Sequence, residues 1–571
     1  MQHVNRFAII IASLVMLASC KKTNTQGRMI PNTAAIVLHI KGSSLSEKLP
    51  WTAIKDNPLF KELYDDSSVT DVLKKMLDNP ENTGIDTKKD MLFFIQKDSM
   101  GGYIGFEGTI KDETAFKNFN NSLPEKGNAT ESEGINYISH SPMAVGWNSK
   151  SFVYTIDAPQ IGQMDELSRR MIKDSIDINS RKPRDILATC KAVFALQENN
   201  SLGKEEKFSS LMEEKGDIHF WMNTQELSTG AGTPSALAMV NLEKWFTDSR
   251  TTATLNFDNG KISINSHSYS GSELSGVFKK YQGVKIDEEM IKRIPGKDVA
   301  AVMALNFKPE GLKELLKTFN LDGFINVGLT SLGLKMDDFI KANKGDVVIA
   351  ISDFKMQPDT AAKKVLDEAG VAAPFAQKPS FNYIFATSIA DKEAFNKLIA
   401  TGKKLGDKFI DEANIPLAFN SNNNYFVLSN TKETADKYIA GSNNAFDFIS
   451  QINGQPFGGY VNMQSIMKAF ESEAAKDSTS KIMYQASVQL WDNLLWKGGE
   501  FKDGALTQSF EINLVDKTTN SLAQLNMYAN KIGHVCREKR KKEKEDIMAF
   551  EDAVAPAAII EPTTKPAAKK K

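Results

Sequence analysis

The chain has 571 residues, of which 41% are hydrophobic and 25% are charged, and its formal net charge is −1. These proportions are typical of globular domains and exclude a wholly disordered chain. A net charge near zero provides no global field for nucleic acid, so we expect no nucleic-acid partner. At about 100–200 residues per domain, the length allows several domains.

The N-terminus has the pattern of an export signal. Arg6 precedes an apolar run over residues 7–17, and small residues then lead to Cys20. The run is too short to cross a bilayer of about 30 Å at 1.5 Å per residue. The tetrapeptide Leu17-Ala18-Ser19-Cys20 resembles the lipobox of bacterial lipoproteins, which implies that the Cys20 thiol receives a diacylglycerol. An ordinary signal peptide with a chance cysteine is the alternative.

We therefore predict a lipoprotein signal peptide over residues 1–19 and a lipidated tether over residues 20–28. The membrane is then a partner through the lipid on Cys20. Lys21 is not an aspartate, so the resemblance gives no signal for retention in the inner membrane. No acidic run follows Cys20 that would indicate display on the cell surface. We expect the protein to be anchored in the bacterial outer membrane and to face the periplasm.

Four sequence patterns recur in the same order along the chain, which indicates a tandem duplication. Most of them read as an apolar strand followed by a helix start or by a turn and a second strand. The pairs are residues 34–45 with 300–312, 104–116 with 384–395, 144–153 with 418–427, and 255–262 with 499–506. The boundary between the two copies along the chain is expected near residues 282–293.

Local signals within these patterns support the assignment of elements. Asn259-Gly260 and Asp503-Gly504 are strong signals for two-residue hairpins. Asp112 and Asp391 each end a predicted strand and suit the N-cap of the helix that follows. Strands joined by hairpins, with helices after some of them, favour an α+β fold with antiparallel sheets over a doubly wound fold.

The predicted fold is a tandem duplication of an antiparallel-sheet-plus-helices unit. The first α+β repeat covers residues 29–285 and the second covers residues 290–515, followed by a charged helix over 516–550 and a disordered Ala/Pro/Lys tail over 551–571. Similar strand-to-helix patterns at residues 220–227 and 460–466 raise a finer hypothesis of two strand–helix modules per copy. Any strand–turn–helix segment would give that pattern.

Two stretches downstream of the lipobox carry a resemblance to a known family. They are Ile30-Pro31-Asn32-Thr33-Ala34-Ala35-Ile36-Val37 and Ser44-Leu45-Ser46-Glu47-Lys48-Leu49-Pro50-Trp51. Together they resemble the uncharacterised lipoproteins of the Bacteroidetes grouped as domain of unknown function 4836. The resemblance covers residues 29 to about 514 and implies location and architecture. Its motifs are structural, so it assigns no functional residue.

The sequence contains no local motif for catalysis or for a cofactor. It has no His-Glu-x-x-His, no Gly-x-Ser-x-Gly and no phosphate-binding glycine loop. His39 and His219 occupy comparable places in two predicted strands and are a conceivable metal-ligand pair, but side chains satisfied within the sheet are the alternative that we favour. Residues 174–179 lack the glycine and further acids of a calcium loop, so a polar turn is expected. We predict no catalytic residue, no metal site and no cofactor.

Cysteine and tryptophan leave alternatives open. With Cys20 lipidated, Cys190 and Cys536 remain, and they could form a disulfide in an oxidising periplasm. A buried free thiol is the simpler interpretation of Cys190. The six tryptophans could form a platform for sugars, but most lie in apolar patterns that are typical of a core.

Two classes of function compete. A duplicated body offers two similar surfaces, or a cleft between the copies, for a protein or glycan partner of the envelope, which favours a non-enzymatic binding or scaffolding lipoprotein. The alternative is a hydrolase of envelope polymers with a site assembled from dispersed carboxylates. A cleft with two carboxylates about 5–10 Å apart, one of them buried, would favour the hydrolase. An apolar groove between the copies would favour binding.

The lipobox generates the first testable prediction. Cys20→Ala removes the thiol that would carry the lipid, so the variant should move from the membrane pellet to the soluble periplasmic fraction. Labelled palmitate should be incorporated by the natural protein and not by the variant. A natural protein that takes up no label would show that Cys20 is not an anchor.

Overall fold

The computed structural model describes residues 26–65, 71–123, 127–159, 183–228, 240–241, 243–360, 377–413 and 417–554. The predicted signal peptide, Cys20, the polar turn at 174–179 and residues 555–571 of the predicted tail lie outside the described residues. No described helix is long and apolar enough to cross a membrane.

In the described residues, eighteen strands form one sheet in which every neighbouring pair is antiparallel. The strands are β1 (Ile36–Lys41), β2 (Asp90–Gln96), β3 (Tyr103–Thr109), β4 (Asn128–Ser132), β5 (Ile135–His140), β6 (Met143–Trp147), β7 (Ser151–Asp157), β8 (Ile218–Asn223), β9 (Arg250–Asp258), β10 (Lys261–Tyr269), β11 (Val299–Asn306), β12 (Asn343–Pro358), β13 (Gln377–Ile389), β14 (Ala418–Ser421), β15 (Tyr425–Ser429), β16 (Phe457–Asn462), β17 (Trp491–Lys502) and β18 (Ala505–Leu514).

The helices of the described residues are α1 (Gly42–Lys48), α2 (Trp51–Lys55), α3 (Pro58–Asp65), α4 (Asp71–Asp78), α5 (Glu113–Asn121), α6 (Ile186–Phe194), α7 (Glu206–Glu213), α8 (Thr224–Ser228), α9 (Glu243–Phe246), α10 (Ser272–Tyr281), α11 (Glu288–Lys292), α12 (Pro309–Thr318), α13 (Asp322–Ser331), α14 (Met336–Ala342), α15 (Lys392–Ala413), α16 (Lys432–Ala440), α17 (Ile449–Ile452), α18 (Met463–Ala469), α19 (Glu471–Ala474), α20 (Ser478–Leu490) and α21 (Ser521–Val554). Short 3-10 helices span Pro80–Thr83, Glu198–Asn200 and Leu202–Lys204.

Both halves of the sheet have the same strand order. From the middle outwards, the first half runs β10, β9, β8, β1, β2, β3, β7 and β6. The second half runs β18, β17, β16, β11, β12, β13, β15 and β14. The first half carries two further strands, β5 and β4, at its outer edge. The predicted fold class, an α+β fold with a duplicated antiparallel unit, is confirmed.

The two halves join edge to edge through β10 and β18, which we call the seam. Asn265 lies six residues after Asn259 of its hairpin turn, and Ser509 lies six residues after Asp503 of the equivalent turn. Asn265 and Ser509 are direct cross-strand partners. Equivalent residues that face each other mark a local two-fold axis, so the copies are arranged like the subunits of an isologous dimer.

The local signals act as the sequence predicts. The side chain of Asp112 accepts a hydrogen bond from Ala115 N at the start of α5, and Asp391 accepts one from Ala394 N at the start of α15. Asp503 and Gly504 both have positive φ, of 51° and 81°, as a type I′ hairpin turn requires. A helix directly follows the end of β1, of β8 and of β16, and α12 begins three residues after β11.

One face of the sheet, the core face, packs against helices in both halves. In the first half, α6 and α7 cover a cluster that includes Val37, Phe94 and Trp221. In the second half, α11, α16 and α17 cover an equivalent cluster that includes Val302 and Tyr438. Since no disulfide links the described residues, burial of these apolar side chains stabilises the fold.

The last helix of each half packs against the other half. Helix α10 follows β10 but packs its Leu274 and Phe278 against Leu315 at α12 of the second half. Helix α21 follows β18 and packs against α3 of the first half. There Asn57 Nδ2 donates to Asn526 Oδ1 over 3.1 Å, and Asn526 Nδ2 donates to the Ala53 carbonyl over 3.1 Å. This exchange ties the copies together beyond the seam.

Asn526→Ala tests this exchange. The substitution removes the donor to the Ala53 carbonyl and the Oδ1 acceptor of Asn57 Nδ2, which keeps only the backbone carbonyl of residue 526 at 3.3 Å. We expect this loss to lower the free energy of unfolding by about 1–3 kcal/mol. Urea denaturation followed by circular dichroism measures the change. Met527→Ala is the matched control, because that side chain is 51% exposed and should change stability by less than about 0.5 kcal/mol. Equal effects of the two substitutions would contradict a role for the contact.

Candidate functional site

The face of the sheet opposite the core face, the outer face, carries a continuous line of apolar residues. Each residue of this line is the direct cross-strand partner of the next, and direct partners share a face of the sheet. The line, which we call the apolar row, is Met91, Ile40, Ile218, Leu255, Ile264, Phe510, Trp496, Gly459, Met303, Ile349, Phe385, Leu428 and Phe419. It crosses both halves and the seam.

The apolar row is partly accessible to solvent. Ile349 and Phe385 are each 38% exposed, and Phe419 is 43% exposed. Apart from Gly459, every other member is of intermediate exposure. On the core face, by contrast, Val302 and Val348 are 2% and 1% exposed. In β11 and β12 the strands are therefore apolar on both faces, and their core face is the more deeply buried one.

A cavity of about 220 Å³ opens on the apolar row beside the local two-fold axis. It is lined by Ile264, Ser266, Phe457, Trp496, Lys497, Gln508, Ser509 and Phe510. Gly459 lies against the lining residue Trp496 so closely that a Cβ at position 459 would be 2.2 Å from Cε2 of the indole ring. A larger residue at 459 would therefore displace the indole. All eight lining residues belong to four neighbouring strands, β10, β18, β17 and β16. We call this cavity the seam cavity.

His39 and His219 are direct cross-strand partners on the core face, and both are fully buried. Their Nδ1 atoms are 2.9 Å apart, and Nε2 of His219 lies 3.2 Å from the Glu214 carbonyl oxygen. Because a carbonyl only accepts, Nε2 of His219 carries the hydrogen and its Nδ1 accepts one from Nδ1 of His39. Burial lowers the pKa of His219 to about 4, which keeps this ring neutral near pH 7.

Asp90 extends the histidine pair. Nε2 of His39 lies 3.3 Å from Oδ2 of Asp90, and the interaction with His39 is the largest cause that holds the pKa of Asp90 below its ordinary value. Three of the four ring nitrogens are thus hydrogen-bonded within the sheet, whereas Nε2 of His39 has this contact with Asp90 and no hydrogen bond of good geometry. Among the described residues, no group of three or more His, Cys, Asp or Glu side chains is placed to hold a metal ion. In the second half, Ala304 and Gly458 face each other at the corresponding place.

Sequence reasoning did not identify Glu107, which lies on the core face two strands from His39. It is 5% exposed, and its Oε2 has no hydrogen-bond partner among the described residues. Burial raises the pKa of Glu107 to about 7. The backbone N–H of Gly27 donates to this carboxylate and lowers its pKa, but burial has the larger effect. Gln26 Nε2 donates to Asp90. Residues 26 and 27 of the predicted tether therefore contact both acids.

A larger cavity, of about 880 Å³, lies in the second half and is lined by residues 284–289, 306–310, 343, 344 and 346. Asp346 is 5% exposed, and its carboxylate accepts hydrogen bonds from Asn306 Nδ2 at 2.6 Å and Ser388 Oγ at 2.8 Å. Asp287 accepts one from Glu289 N at the start of α11, and burial is the largest cause that raises the pKa of Asp287. The carboxylates of Asp346 and Asp287 therefore both accept hydrogen bonds from neighbouring protein groups.

The tryptophans do not converge on one platform. Trp147 and Trp221 are buried, whereas Trp245 is 50% exposed and packs against Phe278 and Phe319. Trp496 alone of the six lines the seam cavity.

Cys190 and Cys536 are free thiols, and burial raises the pKa of Cys190 to about 12. A disulfide between them is therefore not formed.

Comparisons with known proteins give a family and no activity. The sequence model of a family described as Domain of unknown function (DUF4836) matches residues 27–367, which is more than half of the 571 residues. The match ends before residue 514, to which the resemblance was expected to extend. No curated protein matches the chain.

Among solved structures, crystal form IV of TP0453 is 12% identical with a TM-score of 0.23, covering 42% of this chain and 80% of that chain. Crystal form III is 14% identical with a TM-score of 0.23, covering 43% and 80%. Likeness at this level supports no argument about fold or function.

Glu107→Gln tests the ionisation of the buried acid. The folded pKa of about 7 lies above the ordinary 4.5, so the stability linked to this proton is complete below pH 4.5 and is lost as the pH rises to 7. Gln has no proton to lose. The variant should therefore gain stability relative to the natural protein between pH 4.5 and 7.5, by up to roughly 3 kcal/mol.

Chemical denaturation at several pH values measures this gain. Glu131→Gln, at an exposed position of the same half, is the control and should show no pH-dependent difference. A constant difference between Glu107→Gln and the natural protein across the range would mean that Glu107 ionises normally.

Proposed function

Because the chain belongs to the family described as Domain of unknown function (DUF4836), a name that assigns no activity, we propose a function from its own surfaces. We propose a lipoprotein of the bacterial cell envelope that is anchored by Cys20 in the outer membrane, faces the periplasm and binds a ligand without catalysing a reaction. The observation that carries this proposal is the apolar row with the seam cavity on it.

Exposed apolar surface is the reason for favouring binding. Soluble proteins seldom expose contiguous apolar patches beyond a few hundred Å², and larger ones mark interaction sites. The apolar row contains no charged or polar side chain, and Ile349 and Phe385 lie side by side on it at 38% exposure each. A single exposed leucine would need no explanation, but a line of partners across thirteen strands does.

The short tether supports a role at the membrane surface. Gly27 contacts the body at Glu107, seven residues after Cys20. At 3.3–3.6 Å per residue, that segment spans at most about 25 Å. A lipid on Cys20 would therefore hold the body within this distance of the bilayer.

A hydrolase is the second candidate, and the 880 Å³ cavity is the observation that favours it. Asp287 has a raised pKa beside the buried Asp346, as a general acid beside a carboxylate would have. Against it, the hydrogen bonds from Asn306 and Ser388 occupy the Asp346 oxygens. Release of soluble fragments from envelope polymers by the purified protein, abolished by Asp287→Asn, would establish the hydrolase and refute the proposed function.

Site-specific photo-crosslinking tests the binding proposal. With p-benzoylphenylalanine in place of Phe385, irradiation of cell envelopes should yield a discrete crosslinked product, because this side chain lies exposed on the apolar row. The control places the same group at Lys432 of α16, on the core-face side, where the side chain is 81% exposed. Equal yields at both positions, or none at Phe385, would count against the proposal.

A further inference from the structure

We propose that residues 26–28, which we call the latch, hold the predicted tether against the first half while Glu107 is protonated and release it when Glu107 ionises. The latch lies on the core face, where its residues contact the two acids Glu107 and Asp90. This inference goes beyond the proposed binding function, because it depends only on contacts within the first half and stands whether or not the apolar row binds a ligand.

Gly27 is the central contact of the latch. Its N–H donates to the Glu107 carboxylate. Its carbonyl accepts hydrogen bonds from Ile30 N over 3.2 Å and from Gly203 N over 3.1 Å. Its φ is +74°, and a Cβ at this position would lie 2.7 Å from Cε1 of the Phe208 ring. Because only glycine fits here without moving that ring, the backbone of the latch lies in close contact with the first half.

Glu107 is the buried group that the latch covers. It is 5% exposed, and its Oε2 has no hydrogen-bond partner among the described residues. Its cross-strand partners on this face are the uncharged Leu92 and Val153. An ionised carboxylate at this place lacks both water and a counter-charge, so the closed latch favours the protonated form. Displacing Gly27 removes part of the cover and admits water to the carboxylate.

Other titratable groups lie on the elements around this site, but among the described residues no charged group contributes to the pKa of Glu107. They are Asp90 on β2, His39 and Lys41 on β1, Tyr103 on β3, Asp157 on β7 with its partner Arg184, Arg28 in the latch, Cys190 and Lys191 on α6, and Lys207 on α7. A variant that changes Glu107 alone keeps all of them, so it separates the effect of Glu107 from theirs.

The direction of the pH effect follows from burial. With the latch closed, burial raises the pKa of Glu107 to about 7, whereas a carboxyl in water keeps the ordinary 4.5. Because the closed state has the higher pKa, the closed latch is favoured fully below pH 4.5 and loses this advantage as the pH rises to 7. The ratio of open to closed latch should rise on the order of a hundredfold between pH 4.5 and 7.5.

Release lengthens the tether. Ile30 is 0% exposed and its carbonyl accepts from Leu202 N over 2.7 Å, so the chain remains fixed from this residue onwards. The first fixed residue moves from Gly27 to Ile30, which adds about 10 Å of reach at 3.3–3.6 Å per residue. This consequence, unlike the latch itself, rests on the proposed anchor at Cys20.

Amide hydrogen exchange tests the latch in the mature chain with Cys20→Ala, which we call the parent chain. Mass spectrometry of peptides that cover residues 26–30 and 202–204 reports the amides whose hydrogen bonds break when the latch opens. Glu107→Gln in the same background cannot ionise. We expect the ratio of exchange rates, parent over variant, to rise at least about tenfold between pH 5 and pH 7.5. Comparison at equal pH removes the pH dependence of the exchange chemistry itself.

A peptide that covers residues 347–351 of β12 is the internal reference and should exchange alike in both chains. Equal exchange of the latch peptides in the parent and in Glu107→Gln across this pH range would overturn the inference. A rise that is the same in the latch and in β12 would also overturn it, because the whole fold would then be opening.

Gly27→Ala is a second variant, which does not depend on the folding of Glu107→Gln. Its Cβ would collide with Phe208, so the latch should be open at pH 5 and its peptides should exchange at least tenfold faster than in the parent. Gly134→Ala is the matched control, because φ is +76° there and a Cβ meets nothing within 4 Å. It should leave latch exchange within twofold of the parent. Equal latch exchange in the two folded alanine variants would overturn the inference.

Discussion

The pairing of β10 with β18 is the constraint on which the rest of the molecule depends. Each of these strands is the last of its copy, and without the other it would present an unpaired edge of N–H and C=O groups to solvent. By pairing around a local two-fold axis, the copies remove both edges and produce one uninterrupted sheet. The apolar row, the seam cavity and the exchange of α10 and α21 all follow from this join.

Because the sheet is continuous, each position in one copy has an equivalent position in the other copy. The residues at these equivalent positions differ. Trp496 lies across Gly459 in the second half, whereas in the first half Phe220 pairs with Ala253 at the corresponding place. The histidine pair of the first half has Ala304 and Gly458 as counterparts. The architecture is therefore symmetric, while the chemistry of each copy is its own.

The architecture was accessible from the sequence because it depends on local signals that recur. The Asn-Gly and Asp-Gly turns, the caps at Asp112 and Asp391, and the order of four patterns are all short-range features. Long-range pairing was not accessible, so neither the β10–β18 seam nor the exchange of terminal helices could be predicted. The finer strand–helix repeat agrees with the helices that follow β1, β8, β11 and β16.

One feature of the sequence, an unbroken run of apolar residues within a strand, points to the candidate site. Val347 to Ile351 is apolar at every position, and Ile36 to Ile40 of β1 is apolar except at His39; an unbroken apolar run marks a strand with two apolar faces. Glu107 gave no such signal, because its burial depends on Gly27 and on strands far away in sequence. The histidine pair was recognised as a pair, but its partner Asp90 lies on a third strand that sequence spacing does not reveal.

The exchange of terminal helices also sets the order in which the chain can be completed. Helix α3 forms near residue 60, but the helix that covers it begins at Ser521 and so leaves the ribosome about 460 residues later. Throughout this part of synthesis, the first half has a helical layer without the helix that later packs against it. Since domains generally fold as units, N-terminal first, this protein departs from that pattern. Its N-terminal half is complete only when α21 has been made, so a chain that ends before Ser521 would leave α3 without the helix that packs against it.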